Sequence, residues 1–186
     1  MADRLFTSPR ERRLWGWTLA VVAAIFSTLA VAPKLTAILR DRNLLDNLFF
    51  AGFLLVLATI AWHGLRRRPS RVEIGVVMGV AAAYLLVFVR MSIPPEERTH
   101  LVEYGVVAIF IHEALTERAS QGRRVPLPAL IAIVATVAIG ALDEAIQAFV
   151  PNRAFDPRDL LFNVAAAVMA VAAATALAWA RRRASA

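Results

Sequence analysis

The chain has 186 residues, 59% of them hydrophobic, and a mean hydropathy of +0.61. This composition excludes an ordinary soluble domain, and the absence of cysteine excludes disulfides, cysteine-ligated zinc and thiol chemistry. The net charge of +7 arises from basic residues that lie mostly at the ends of apolar stretches. Anionic lipid headgroups account for such residues, so we expect no nucleic-acid partner.

Six apolar stretches are each long enough to cross a hydrocarbon core, which takes about 20 residues. In chain order they cover residues 14–32, 47–65, 72–91, 98–116, 127–149 and 159–180. The sequence therefore predicts an all-α, polytopic bundle of about six transmembrane helices in one domain, residues 1–186. We expect the first stretch to stay attached as an uncleaved helix, because Pro33 directly follows its Ala30-Val31-Ala32 end.

The basic residues predict the orientation of these helices. Fourteen of them lie before the first stretch, after the second, after the fourth and after the sixth, whereas seven lie on the other side. Cytoplasmic loops of membrane proteins are enriched in Lys and Arg. Both termini are therefore predicted to be cytoplasmic.

Polar residues gather where the last three stretches reach the opposite, outer side. They are His100 and Tyr104 on the fourth stretch, Asp143, Glu144 and Gln147 on the fifth, and Asp159 and Asn163 on the sixth. Helical spacing places each set within an arc of about 100°. An ionisable residue costs roughly 2.5–3.5 kcal/mol at the centre of a membrane helix, and lipid cannot solvate it. The cluster therefore predicts an inward-facing site.

The connection between the last two stretches supplies a cation to this site. Pro151 ends the fifth stretch, and Asp156-Pro157 is a favourable start for the sixth, with Asp as the helix cap and Pro at the first position. The short outer loop between them holds Arg153 over the cluster. Its guanidinium is predicted either to pair with Glu144 or to bind a lipid phosphate through two hydrogen bonds.

These residues resemble the motifs of the VanZ-like family of small bacterial membrane proteins. The family shows His-x-x-x-Tyr, Asp-Glu-x-x-Gln, Pro-x-Arg and Asp-x-x-x-Asn, which here are His100 and Tyr104, then Asp143, Glu144 and Gln147, then Pro151 and Arg153, and finally Asp159 and Asn163. The resemblance covers residues 72–174, approximately, so the two helices within residues 14–65 are additional. Two departures stand out, since Glu96-Glu97 replaces a frequent Asp-Lys and Ala165-Ala166-Ala167 replaces a common Gly.

The resemblance implies a multi-pass protein of the bacterial cytoplasmic membrane, and the founding member of the family is linked to teicoplanin resistance. We expect the outward-facing site to recognise or modify an anionic cell-envelope lipid or glycan precursor. Glu144, His100 and Asp159 are the candidate acid–base residues. The candidate substrate-binding residues are Arg153, Gln147, Asn163, Tyr104 and Asp143.

Other interpretations of the same cluster remain open. The chain would alternatively be a non-catalytic subunit or assembly factor of a larger membrane complex, with Glu144 and Arg153 joining two helices. A transporter or proton relay is the least favoured, because the inner halves of the fifth and sixth stretches are almost wholly apolar. Metal-assisted hydrolysis through His100, Asp143, Glu144 and Asp159 is conceivable, but no tight ligand motif supports it, so we assign no metal ligand and no cofactor. Membrane lipids, a lipid-linked precursor and membrane proteins are the expected partners.

Overall fold

The computed structural model describes residues 5–29, 69–90, 98–150 and 157–184, together with residues 31, 37–39, 41, 42, 44, 47 and 51. Within these residues the chain is helical and contains no strand, which confirms the predicted all-α class. Most of them belong to five long helices: α1 (Pro9–Thr28), α2 (Arg71–Arg90), α3 (Arg98–Ser120), α4 (Pro128–Gln147) and α5 (Pro157–Ala184).

Five of the six predicted stretches coincide with these helices, whereas the second, residues 47–65, lies almost entirely outside the described residues. α1 begins at Pro9 rather than at residue 14, because a cap rather than apolarity fixes its start. The Ser8 hydroxyl accepts a hydrogen bond of 3.0 Å from the Glu11 backbone N–H. Pro9 then occupies the first helical position, where no N–H is needed.

Two helices in the described part of the chain, α4 and α5, are long and apolar enough to cross a membrane by length and composition. Their most apolar windows have mean hydropathies of 2.0 and 2.2. The six-span topology and the cytoplasmic location of both termini stay predictions.

The chain divides into two compact units, the first formed by residues 1–31 and 99–172 and the second by residues 32–98 and 173–186. In the first unit, α1, α3, α4 and the first half of α5 share an apolar core. Its buried members are Ile25, Val107, Ala108, Ile111, Leu115, Ala132, Ala167, Ala170 and Val171. Small residues allow two helices to pack closely. Gly105 of α3 and Ala170 of α5 are an example, since a Cβ built on Gly105 would lie 3.8 Å from the Ala170 Cβ.

In the second unit, α2 contacts the C-terminal turns of α5. The Ser70 hydroxyl accepts a hydrogen bond from the Glu73 backbone N–H, and the Glu73 carboxylate accepts one from the Ser70 backbone N–H. This reciprocal pair caps the start of α2. Glu73 also forms an ion pair of 3.4 Å with Arg181 of α5.

A network of charged residues, here called the α1–α3 clasp, joins the start of α1 to the end of α3. Its members are Ser8, Arg10, Glu11, Glu113, Glu117 and Arg118. Arg10 pairs with Glu113 at 2.6 Å and with Glu117 at 3.0 Å. In the reverse direction, Arg118 of α3 pairs with Glu11 of α1 at 2.8 Å. These contacts fix α1 antiparallel to α3.

Two carboxylates of the clasp are held in the ionised form. Burial alone would raise the pKa of Glu11, but hydrogen bonds from Thr7 and the charge of Arg118 lower it below its ordinary value. The Ser8 hydroxyl, which donates to the Glu117 carboxylate at 2.8 Å, and the Arg10 guanidinium lower the pKa of Glu117 in the same way. Glu11 and Glu117 therefore act as charged partners in the clasp at neutral pH.

Candidate functional site

One face of α4 carries the polar residues of the candidate site. Asp143, Glu144 and Gln147 are exposed by only 1%, 0% and 2%, respectively. Ala132, Thr136 and Gly140 extend the same buried face towards the start of the helix. The spacing of these residues at three and four positions is that of one helix face. The sequence thus presents a small and polar stripe to the interior of the first unit.

Tyr104 of α3 meets this stripe through a buried hydrogen bond. Its hydroxyl donates to Asp143 Oδ2 at 2.6 Å, a short distance of the kind expected when the acceptor is a carboxylate. The Gln147 side chain donates to the same oxygen at 3.1 Å and approaches Glu144 Oε1 at 3.5 Å. One carboxylate oxygen is therefore anchored by two donors from two helices, and Gln147 links both acidic residues.

α5 carries two further predicted site residues, Asp159 and Asn163, which lie one turn apart and are exposed by 5% and 0%. Asn163 lies against α4 at Gly140, because a Cβ built on Gly140 would be 2.6 Å from Asn163 Nδ2 and 3.1 Å from its Cβ. Only glycine leaves room for this close approach. Gly140 thus positions Asn163 one turn from Asp143 and Glu144 along α4.

Replacing Gly140 with alanine is expected to destabilise the protein by about 1–3 kcal/mol, because the new methyl group overlaps both the amide and the Cβ of Asn163. The amide end can rotate away, but the Asn163 Cβ moves only with the α5 backbone. The free energy of unfolding in mild detergent measures the effect. Gly79→Ala in α2 is the matched control, since its Cβ meets nothing within 4 Å and alanine favours a helix. Equal behaviour of the two variants would contradict the contact.

The structure places the other predicted site residues less completely. His100 lies in the first turn of α3, but its side chain is outside the described part of the chain. Pro151 and Arg153 also lie outside the described residues, so the predicted position of the guanidinium over the cluster stays a prediction. The residues brought together are Tyr104, Asp143, Glu144 and Gln147, with Asp159 and Asn163 buried on α5.

The outward faces of the same helices are apolar. On α4, Leu130, Val134 and Leu142 are exposed by 53%, 59% and 52%. On α5, Leu161 is exposed by 67% although it lies only two positions from the buried Asp159. Soluble proteins bury such residues and expose carboxylates. α4 and the start of α5 have the opposite arrangement, with Asp143, Glu144 and Asp159 inside and these large aliphatic side chains outside.

The sequence analysis did not predict the burial of two polar residues. His112 is exposed by only 7% and lies on the same side of α3 as the core residues Ile111 and Leu115. Glu11 is completely buried by the α1–α3 clasp. The sequence did contain a signal for Glu11, because the capping pattern Ser8-x-x-Glu11 marks the start of a helix.

The arrangement of the site provides anchored hydrogen-bond acceptors in a place from which water is excluded. Asp143 and Glu144 are neighbours near the C-terminal end of α4, and the last turn of that helix contains no basic residue. The described residues contain no group of three or more His, Asp or Glu side chains arranged to hold a metal ion. Chemically, the cluster fits general acid–base catalysis or the binding of a hydrogen-bond donor.

Comparison with known proteins identifies one family. A protein-family model described as VanZ/LLP1 matches residues 10–178, which includes α1 as well as the helices that carry the motifs. No curated protein and no solved structure matches the chain significantly.

Proposed function

This chain belongs to the VanZ/LLP1 family, and on that premise we propose that it is a multi-pass protein of the bacterial cytoplasmic membrane with a polar site facing the outer leaflet. The site recognises or modifies an anionic cell-envelope lipid or glycan precursor, in a role related to glycopeptide resistance. The main support is the inverted distribution of side chains, with buried acids and amides on helices whose outer faces are aliphatic.

A bilayer explains this distribution, whereas water does not. Large exposed apolar surfaces on soluble proteins mark contacts with membranes or partners. Here they include the outward faces of α4 and α5, the two described helices with the required length and hydropathy. Ionisable residues within membrane helices face the protein interior, as Asp143 and Glu144 do. The exposed side chains of Val134 and Leu142 would contact lipid tails, which are equally apolar.

The proposed orientation places the connection between α3 and α4 in the cytoplasm and the end of α4 outside. Because the chain has no cysteine, single cysteines report the side of each loop cleanly. We expect a membrane-impermeant maleimide to label Phe149→Cys, at a position exposed by 89%, in intact cells or spheroplasts. Gln121→Cys, also at an exposed position, should be labelled only after permeabilisation. The reverse pattern would invert the topology and move the site to the cytoplasmic side.

Within the proposed site, the residues divide into two groups by chemistry. Arg153 binds the anionic phosphate of the headgroup as a bidentate donor. Glu144, His100 and Asp159 supply acid–base groups for a modification step, while Tyr104, Gln147, Asn163 and Asp143 orient the headgroup. The anchored Asp143 carboxylate supports this division, since its donors Tyr104 and Gln147 fix its orientation before any ligand binds.

The experiment that tests the proposal is native mass spectrometry of the gently solubilised protein. We expect the wild type to retain an anionic lipid or a lipid-linked sugar. Arg153→Ala should retain at least about tenfold less of this ligand than the wild type, because a charged bidentate contact disappears. Glu144→Gln should retain the ligand yet abolish cellular function, with unchanged expression and monodispersity. Arg42→Ala and Asp41→Asn, at exposed positions, are the matched controls for each change of charge.

The results separate the proposal from its alternative. Aggregation of both Arg153→Ala and Glu144→Gln would identify the cluster as a structural connection between helices. A protein that carries membrane-protein partners, unaffected by either substitution, would instead indicate a non-catalytic subunit or assembly factor.

A further inference from the structure

The two oxygens of the Asp143 carboxylate have different surroundings. Oδ2 accepts hydrogen bonds from Tyr104 and Gln147, whereas Oδ1 is buried and has no hydrogen-bond partner among the described residues. A buried acceptor without a donor is costly, and most such groups in proteins are satisfied. The anchored carboxylate therefore presents one oriented oxygen to a donor that the described residues do not provide.

The electrostatic surroundings of Oδ1 favour a positively charged donor. Asp143 and Glu144 lie near the C-terminal end of α4, where the helix dipole is negative and carboxylates are disfavoured. The last turn of α4 itself has no basic residue. The Asp143 carboxylate and the helix C-terminus thus combine at one place, and exclusion of water strengthens their effect on a cation.

The described residues fit an organic cation better than a metal ion. They contain no set of three convergent His, Asp or Glu side chains, and Asp143 and Glu144 differ by about 100° around the α4 axis. A primary ammonium needs fewer ligands, and it donates directional N–H hydrogen bonds. Asp143 also lies four residues before the end of α4, about 6 Å along the helix axis, and therefore close to the proposed outer end of that helix.

We propose that Asp143 Oδ1 accepts a hydrogen bond from the protonated primary amine of a membrane-lipid headgroup, so that Asp143 determines the specificity of the site. This inference rests on the proposed function but specifies a zwitterionic headgroup, in which a protonated primary amine is linked to the anionic phosphate. Asp143 thus binds the amine end of the headgroup.

The test compares three probe lipids of matched acyl chains on the full-length protein in detergent by native mass spectrometry. Phosphatidylethanolamine has a phosphate and N–H donors, phosphatidylcholine has the same charges without N–H donors, and phosphatidylglycerol has a phosphate without an amine. We expect the wild type to retain about tenfold more phosphatidylethanolamine than phosphatidylcholine, since only the former donates to Oδ1.

A variant then assigns the preference to Asp143. Asp143→Asn keeps an oxygen that can accept from Tyr104 and Gln147, but it places an amide donor or a neutral acceptor where the ammonium binds. It should lose the preference for phosphatidylethanolamine, whereas Asp41→Asn at an exposed position should keep it. The comparison of lipids on the wild type needs no variant, so a folding defect in Asp143→Asn does not weaken the test.

Failure of the inference and failure of the proposed function give different results. Equal retention of phosphatidylethanolamine and phosphatidylcholine by the wild type overturns the role of Asp143. If Arg153-dependent retention of phosphatidylglycerol persists in that case, the proposed anionic site survives. If the wild type retains none of the three lipids, the inference is overturned. Of the proposed function, only recognition of a glycan precursor then remains.

Discussion

Replacing Val134 with aspartate is expected to remove most of the protein from the membrane fraction. Val134 lies near the middle of α4 on its outward face and is exposed by 59%. If lipid covers this face, a carboxylate there costs about 3 kcal/mol of insertion free energy, or roughly a hundredfold in the insertion equilibrium. If water covers it, a polar substitution at an exposed position changes the stability by about 0.5 kcal/mol or less. The two environments therefore predict opposite results.

Two matched variants make this experiment specific. Val134→Leu keeps the face apolar and should insert like the wild type. Gln121→Asp introduces the same carboxylate at an exposed position after α3, in the connection to α4, and should also insert normally. The measurement is the amount of tagged protein in the washed membrane fraction. Normal membrane accumulation of Val134→Asp would mean that protein or water, rather than lipid, covers this face of α4.

The positions of the helices were predictable from the sequence, because long apolar stretches that are punctuated by Pro leave few alternatives. The predicted start of the last helix after Asp156 agrees with α5, which begins at Pro157. The start of α1 was not predicted, since Ser8 and Glu11 are polar and extend the helix before its apolar part. Apolarity locates the middle of a helix, and capping locates its end.

The inward orientation of Tyr104, Asp143 and Gln147 also followed from the sequence, but their pairing did not. Periodicity places Tyr104 and Asp143 on inward faces, yet their hydrogen bond depends on how α3 and α4 rotate about their own axes. The close approach of Gly140 to Asn163 depends similarly on the distance between α4 and α5. In the α1–α3 clasp, Arg10 was counted among the basic residues that predict the membrane orientation. Its pairing with Glu113 could be identified only once the structure showed that α1 and α3 are antiparallel.

The hydrogen bond from Tyr104 to Asp143 is expected to contribute strongly to the stability of the first unit. Asp143→Ala leaves the buried hydroxyl of Tyr104 and the amide of Gln147 without their shared acceptor. We expect a loss of roughly 2–5 kcal/mol, since each unsatisfied buried group costs about 1–3 kcal/mol. Tyr104→Phe removes one donor and should cost about 1.5–3 kcal/mol, because the acceptor is a carboxylate.

A double-mutant cycle isolates the interaction from the other effects of each substitution. The double variant Tyr104→Phe with Asp143→Ala lacks the phenol hydroxyl that Asp143→Ala alone leaves without its acceptor. Its loss of stability should therefore be smaller than the sum of the two single losses, by about 1 kcal/mol or more. Tyr84→Phe in α2, the other tyrosine of the chain, tests the loss of a hydroxyl outside this network and should be nearly neutral. Unfolding in mild detergent supplies all four free energies. If the two losses simply add, helix packing rather than the hydrogen bond holds α3 against α4.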